Sequence, residues 1–300
     1  MFTQNKHFKS ISGRIALLLC SCAIVIVLAC SVSQLRKVSE RGATQDKSTE
    51  LIAKPVARRL PNAPAKDPLS RDAIATMRMA IVDASNDFSA RLEARRALMQ
   101  ALRRHDRLSE AMGELHAILD DVETEEGRTM AQRVAIAEAG MLHQDASFEA
   151  AALAYQMILD RYPDSGFIVE AAYHMGECRL EQGRYEEAEQ VWRELTERHP
   201  DAWLTPWAFR KVALAQLLQK KFDDSLATLG QMETRFEGTE FGDYARMRKG
   251  YVQLAAGKKD EAQKTYSKFL ASCPTSKYCR LVQKQIAELD HPSALVGGTR

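Results

Sequence analysis

The chain has 300 residues, 45% of them hydrophobic and 27% charged, which is enough apolar material for a folded core of one or two domains. Its net charge of +2 is split, with about +7 over residues 1–70 and −6 over residues 71–290. An acidic body of this kind argues against nucleic acid as a partner, which would want a basic face.

Residues 1–14 form a basic segment carrying Lys6, Lys9 and Arg14. Ile15 to Val32 then hold eighteen uncharged, mostly apolar positions. At about 1.5 Å per residue such a run just crosses a hydrocarbon core of about 30 Å, and it is longer than a usual cleavable apolar region of ~7–15 residues. A transmembrane anchor over 15–32 is the first expectation. A second is a lipid attachment at Cys30, because Val27-Leu28-Ala29-Cys30 resembles a bacterial lipobox; a third is a secretory signal cut after Ala29. Arg36, Lys37, Arg41 and Lys47 balance the upstream charges, so the charge rule fixes no orientation, and export of the body is expected from the signal-like layout.

Residues 33–70 mix Ser, Thr, Gln, Lys and Arg with Pro55, Pro61, Pro64 and Pro68, which predicts a disordered linker. Ser70 is placed to cap the first helix of the body. Downstream the chain uses Ala, Glu, Arg, Leu, Lys and Gln and shows no strand-like alternation, so an all-α body is expected. Residues 71–128 read as helical, with Leu92, Leu98, Leu102, Leu108, Leu115 and Leu119 on helical spacing and a possible degenerate repeat around Leu108 to Ala111.

From about residue 129 to 290 a period of 37 residues governs the sequence. Ala151, Ala188, Ser225 and Ala262 are 37 apart; Phe148, Tyr185 and Phe222 stand three before them; Tyr155, Trp192, Leu229 and Tyr266 stand four after. Pro163, Pro200 and Pro274 follow at twelve, with Glu237 in the third copy. A small residue lets two antiparallel helices approach, a large apolar residue one turn later fills the space, and Pro stops the second helix. Four such units and a closing helix from Ser276 to Leu289 are expected, followed by a disordered tail at 291–300.

These segments resemble tetratricopeptide repeats. Met175, Gly176, Gly183, Tyr185, Ala188, Trp192 and Pro200 match the motif in the second copy, and Gly250, Ala262, Tyr266 and Pro274 in the fourth. The first and third copies are degenerate, and Ala172 and Phe209 occupy the place of the usual first-helix Trp. The resemblance implies a solenoid of helical hairpins wound as a right-handed superhelix. The 37-residue period, with "YPDS" at 162–165 and "CPTS" at 273–276, is similar to exported bacterial repeat proteins of the outer-membrane-assembly lipoprotein and Tol–Pal coordinator type.

No phosphate loop, HExxH, CxxC or nucleophile elbow is present in the sequence, so neither an enzyme nor a cofactor or metal site is expected. The remaining chemical alternative is a metal-binding or enzymatic role for His174 with nearby carboxylates. The resemblance places Glu170, Tyr173, His174, Glu177, Trp207, Arg210, Lys211, Leu214, Tyr244, Met247, Arg248 and Tyr251 on the concave side. Of these, Tyr173, Trp207, Arg210, Lys211, Tyr244, Arg248 and Tyr251 are the expected contacts for a protein or peptide partner, with Trp207 the best exposed. Chaperone-binding members hold a chain-terminal carboxylate with Asn and Lys; no Asn follows Asn86, which disfavours that mode. A disulfide between Cys273 and Cys279 is expected if the body is exported, and Cys178 should be a packed thiol. The function expected is a membrane-anchored scaffold of the bacterial cell envelope, the alternative being a tethered adaptor facing the cytoplasm.

Overall fold

The computed structural model describes residues 69–290, and among these all regular structure is helical. The expected membrane segment 15–32, the lipidation candidate Cys30, the linker up to residue 68 and the tail 291–300 lie outside the described residues. No helix among the described residues is long and apolar enough to cross a membrane.

The chain divides after Phe167 into two compact units. In the first, α1 (Arg71–Asp83), α2 (Phe88–Arg104), α3 (Leu108–Glu126), α4 (Arg128–Gln144) and α5 (Phe148–Arg161) each pack on the preceding helix, and α3 also meets α5. Ser70 caps α1 as its sequence position suggests, its side chain accepting from the Ala73 amide at 3.0 Å. Leu98, Leu102, Leu115, Ile118, Leu119, Ile136, Tyr155 and Ile158 are fully buried and form the apolar core of this unit. Arginines of α2 tie it laterally: Arg95 reaches Glu114 and Asp121, and Arg96 Nε lies 2.6 Å from the buried carboxylate of Glu138.

The second unit holds α6 (Ile168–Glu181), α7 (Tyr185–Arg198), α8 (Thr205–Leu218), α9 (Phe222–Arg235), α10 (Glu240–Ala255), α11 (Lys259–Ser272) and α12 (Cys279–Asp290). Each helix packs on its neighbour in sequence, and α8 also touches α10. The period seen in the sequence becomes the packing rule. Ala188, Ser225 and Ala262 are fully buried, as are Trp192, Leu229 and Tyr266 one turn later. The helix glycines Gly176 and Gly250 exist to admit two of those rings: a Cβ at Gly176 would overlap Trp192, and one at Gly250 would overlap Tyr266. Ser225, the odd member of the small set, keeps its hydroxyl satisfied by donating to the Ala213 carbonyl at 2.8 Å.

The turn inside each hairpin repeats as well. Asp106, Ala146, Gly183, Lys220 and Gly257 all have positive φ, between 56° and 78°. The next amide in each case reaches back five residues, from Arg107 to Leu102, Ser147 to Leu142, Arg184 to Arg179, Lys221 to Gln216 and Lys258 to Gln253. This is the Schellman closure, which ends a helix on a left-handed residue. The α2–α3 hairpin therefore closes by the same turn as the later ones. Only Gly adopts this conformation without a Cβ penalty, so the copies at Ala146 and Lys220 carry strain of about 1 kcal/mol each. Lys220→Gly is expected to raise stability by about 0.5–1 kcal/mol, and Gly183→Ala to lower it by about 1 kcal/mol, in urea unfolding of the full chain. Equal midpoints for both variants and the parent would show that the turn tolerates either residue.

Candidate protein-binding face

The candidate face is carried by the first helices of the three hairpins in the second unit, α6, α8 and α10. Residues three and four apart on a helix share a side, and the 37-residue register puts equivalent positions of successive first helices in line. Tyr173 of α6 is thereby brought to Lys211 of α8, and Trp207 and Arg210 of α8 to Tyr244, Arg248 and Tyr251 of α10. The Lys211 ammonium lies 5.9 Å from the Tyr173 ring centre. The Arg210 guanidinium lies 4.7 Å from Trp207 and 3.9 Å from Tyr244. Arg248 lies 5.8 Å from Tyr244 and 4.5 Å from Tyr251. Rings and cations thus alternate along the helices at distances suited to cation–π attraction. The Tyr278 ring, just before α12, extends the series with an edge contact to Tyr244 at 5.9 Å.

The depth of these residues differs from the expectation. Tyr173, Tyr244 and Arg248 are buried, the last only 5% exposed. Trp207, expected as the best exposed residue, is half-buried, because its ring stands edge-on to Phe241 at 5.1 Å. The exposed tryptophan is Trp203, in the loop ahead of α8, which the repeat register does not single out.

Beside this series lies a charged group that the sequence reading named only by position. The Glu177 carboxylate accepts from the Lys211 ammonium at 2.7 Å, and its other oxygen lies 2.9 Å from His174 Nδ1. Burial works against the charge on Glu177, but the neighbouring Lys211 and His174 prevail and hold its carboxyl well below the usual carboxylate range. Burial likewise opposes the charge on Lys211, and Glu177 and Tyr173 raise it above the usual lysine range in spite of this. The Tyr173 hydroxyl is pushed up by burial, and the Glu170 carboxyl is pushed up by burial against the influence of His174.

The second unit also holds a buried polar network away from these rings. Glu189 in α7 accepts from Gln216 and Gln219 of α8, each at 2.9 Å, and from Arg193 at 2.8 Å. Gln216 in turn accepts from the Thr228 hydroxyl of α9 at 2.8 Å. Burial raises the Glu189 carboxyl, but the hydrogen bonds outweigh it and bring the pKa to about 2.

The expected Cys273–Cys279 bridge is not formed. Both are thiols; the Cys279 Sγ donates to the Cys273 carbonyl at 3.0 Å, while the Cys273 Sγ turns to the Arg246 guanidinium at 3.3 Å. The turn between them aims the second sulfur at the backbone of the first residue and not at its side chain. Cys178 is a buried thiol, and burial pushes its pKa up to about 12.

Comparison of the sequence with protein families gives a match to the tetratricopeptide repeat-like domain over residues 116–291, more than half of the chain. Comparison with curated proteins gives no match. Among solved structures, a thermophilic tetratricopeptide repeat protein of Thermus thermophilus is 17% identical, with 64% of this chain covering 98% of that one at a TM-score of 0.37. A tetratricopeptide repeat protein from Parabacteroides merdae is 15% identical, with 88% of this chain covering 99% of that one at a TM-score of 0.36. The TPR2AB domain of yeast Sti1, solved as a complex with pHSP90, is 12% identical, with 74% of this chain covering all of that one at a TM-score of 0.34. With twelve helices among the described residues, hairpins closed by one recurrent turn and the family match over residues 116–291, this chain belongs to the tetratricopeptide repeat-like domain family.

Proposed function

We propose that this protein is a binding scaffold without catalytic chemistry of its own, held at a membrane by residues 15–32 and taking a protein partner on the first helices of its second unit. The observation that carries this reading is the pairing of rings and cations along these helices, Tyr173 with Lys211 and then Trp207, Arg210, Tyr244, Arg248 and Tyr251 in one chain of contacts. Aromatic and arginine side chains bury large area at modest entropic cost and dominate interface energetics. Membership of a repeat family whose units present lines of side chains supports the same reading. The uncharged run at 15–32 supports the tether, and the 37-residue period with its "YPDS" and "CPTS" turns supports a place in the bacterial cell envelope, similar to the outer-membrane-assembly and Tol–Pal coordinator proteins.

Cross-linking of intact cells followed by mass spectrometry identifies what the protein touches, and two variants then test the reading. Trp207→Ala is expected to weaken capture of that partner at least tenfold while changing stability little, since the ring is only half-buried. Deletion of residues 1–32 is expected to release the helical body from the membrane pellet. Full capture by Trp207→Ala would move the site off these helices. A folded, shortened protein still sedimenting with membranes would remove residues 15–32 as the tether.

A further inference from the structure

His174, Lys211 and Arg248 are equivalent residues, 37 apart, on α6, α8 and α10. The first two share a carboxylate, since Glu177 lies 2.9 Å from His174 Nδ1 and 2.7 Å from Lys211 Nζ. Glu177 stands 34 residues before Lys211. The residue 34 before Arg248 is Leu214, so the third copy keeps the cation and lacks the anion. The consequence is visible at Arg248. It is only 5% exposed, and among the described residues its guanidinium meets the rings of Tyr244 and Tyr251 but no carboxylate or other hydrogen-bond acceptor. A guanidinium cannot shed its charge at any ordinary pH. The Arg248 nitrogens are not among the buried side-chain atoms left without a partner, so the small surface that Arg248 keeps is where an anion can reach the guanidinium and pair with it. Arg210 sits on the same Tyr244 ring at 3.9 Å, so two positive charges converge there.

We propose that Arg248 is the anchor for a side-chain carboxylate, aspartate or glutamate, of the bound protein segment, which supplies from outside the anion that Glu177 supplies within the chain one repeat earlier. Tyr244 and Tyr251 flank that carboxylate. This deepens the proposed function and rests on its placing the partner along α6, α8 and α10. Complementarity selects the occupant: a planar guanidinium between two rings suits a planar carboxylate, bound through paired N–H donors.

The proposal is testable in the full chain before any partner is known. Leu214→Glu restores the missing carboxylate and is expected to raise the melting temperature by about 2–4 °C. Leu214→Gln should not raise it, and Leu214→Glu should lose its benefit when Arg248 is replaced by Met. Arg248→Met alone should melt no lower than the parent. The binding probe is an array of N-acetylated, C-amidated peptides, so that no chain end carries charge. Captured peptides should contain Asp or Glu, and changing it to Asn or Gln should weaken binding at least tenfold. The same loss is expected with Arg248→Met and with Leu214→Glu. Peptides lost with Trp207→Ala yet indifferent to Arg248→Met and to the change of Asp or Glu to Asn or Gln would leave the face intact and overturn the carboxylate. Capture indifferent to both Trp207→Ala and Arg248→Met would overturn the face itself. A Leu214→Glu protein that melts no higher than Leu214→Gln would overturn the unmet charge.

Discussion

Replacing Trp192 by Ala is expected to remove about 3–5 kcal/mol of stability. Its indole is fully buried, it fills the space that Gly176 leaves open, and its Nε1 donates to the Tyr173 carbonyl at 3.0 Å. The substitution removes the largest fully buried side chain and leaves a cavity between α6 and α7 that helices fixed by their neighbours cannot close. Equilibrium urea unfolding followed by circular dichroism measures the loss. Trp203→Ala provides the contrast: that ring is 60% exposed, and its removal should change stability by less than about 0.5 kcal/mol. Similar losses for the two would mean that the second-helix ring is not the keystone of its hairpin.

The second large effect belongs to Glu189. Its carboxylate is buried and joins Gln216, Gln219 and Arg193, with Lys221 at 3.5 Å. Gln216 and Gln219 donate to different oxygens of Glu189, so in Glu189→Gln the new amide nitrogen faces one of these two amide donors while the other keeps an oxygen acceptor, and the network loses both its charge and part of its pairing. A loss of about 2–3 kcal/mol at neutral pH is expected. The pH dependence carries the sign. The carboxyl titrates near 2 in the fold, below its unfolded value of about 4.3. Its contribution is therefore complete above about pH 4.5 and is lost as the pH falls toward 2. Glu177 is also held low and weakens the parent over the acid range, but it is common to both proteins. The stability difference between parent and Glu189→Gln should shrink steadily on acidification below about pH 4.5. A difference independent of pH would show that Glu189 acts through packing alone.

How far the sequence foretells the structure depends on whether a property is periodic. Spacing and side-chain size carry the hairpins, since Ala188 with Trp192 and Ala262 with Tyr266 occupy the buried seam that their recurrence implies. The Ser70 cap is local chemistry and legible for the same reason. The left-handed turn is legible at Gly183 and Gly257, whereas Ala146 and Lys220 adopt it without announcing it; only their 37-residue offset from a glycine betrays them. Direction on the first helices follows from the register, which places Tyr173, Trp207, Arg210, Lys211, Tyr244, Arg248 and Tyr251 where they make ring and cation contacts with one another. Depth does not follow from register. It is set by what the next helix sends across, such as Phe241 against Trp207. The Cys273–Cys279 expectation used chain separation alone, and separation does not say where the sulfurs point.

The face itself is tested most directly by site-specific photocrosslinking in cells, with a benzophenone amino acid placed at position 207 on α8 or at position 194 on α7. Glu194 is exposed and lies on a second helix, outside the aromatic–cation series. A discrete partner adduct from position 207, with none from position 194, is the predicted result. The same adduct from position 194 alone would contradict the assignment of the first helices as the binding face.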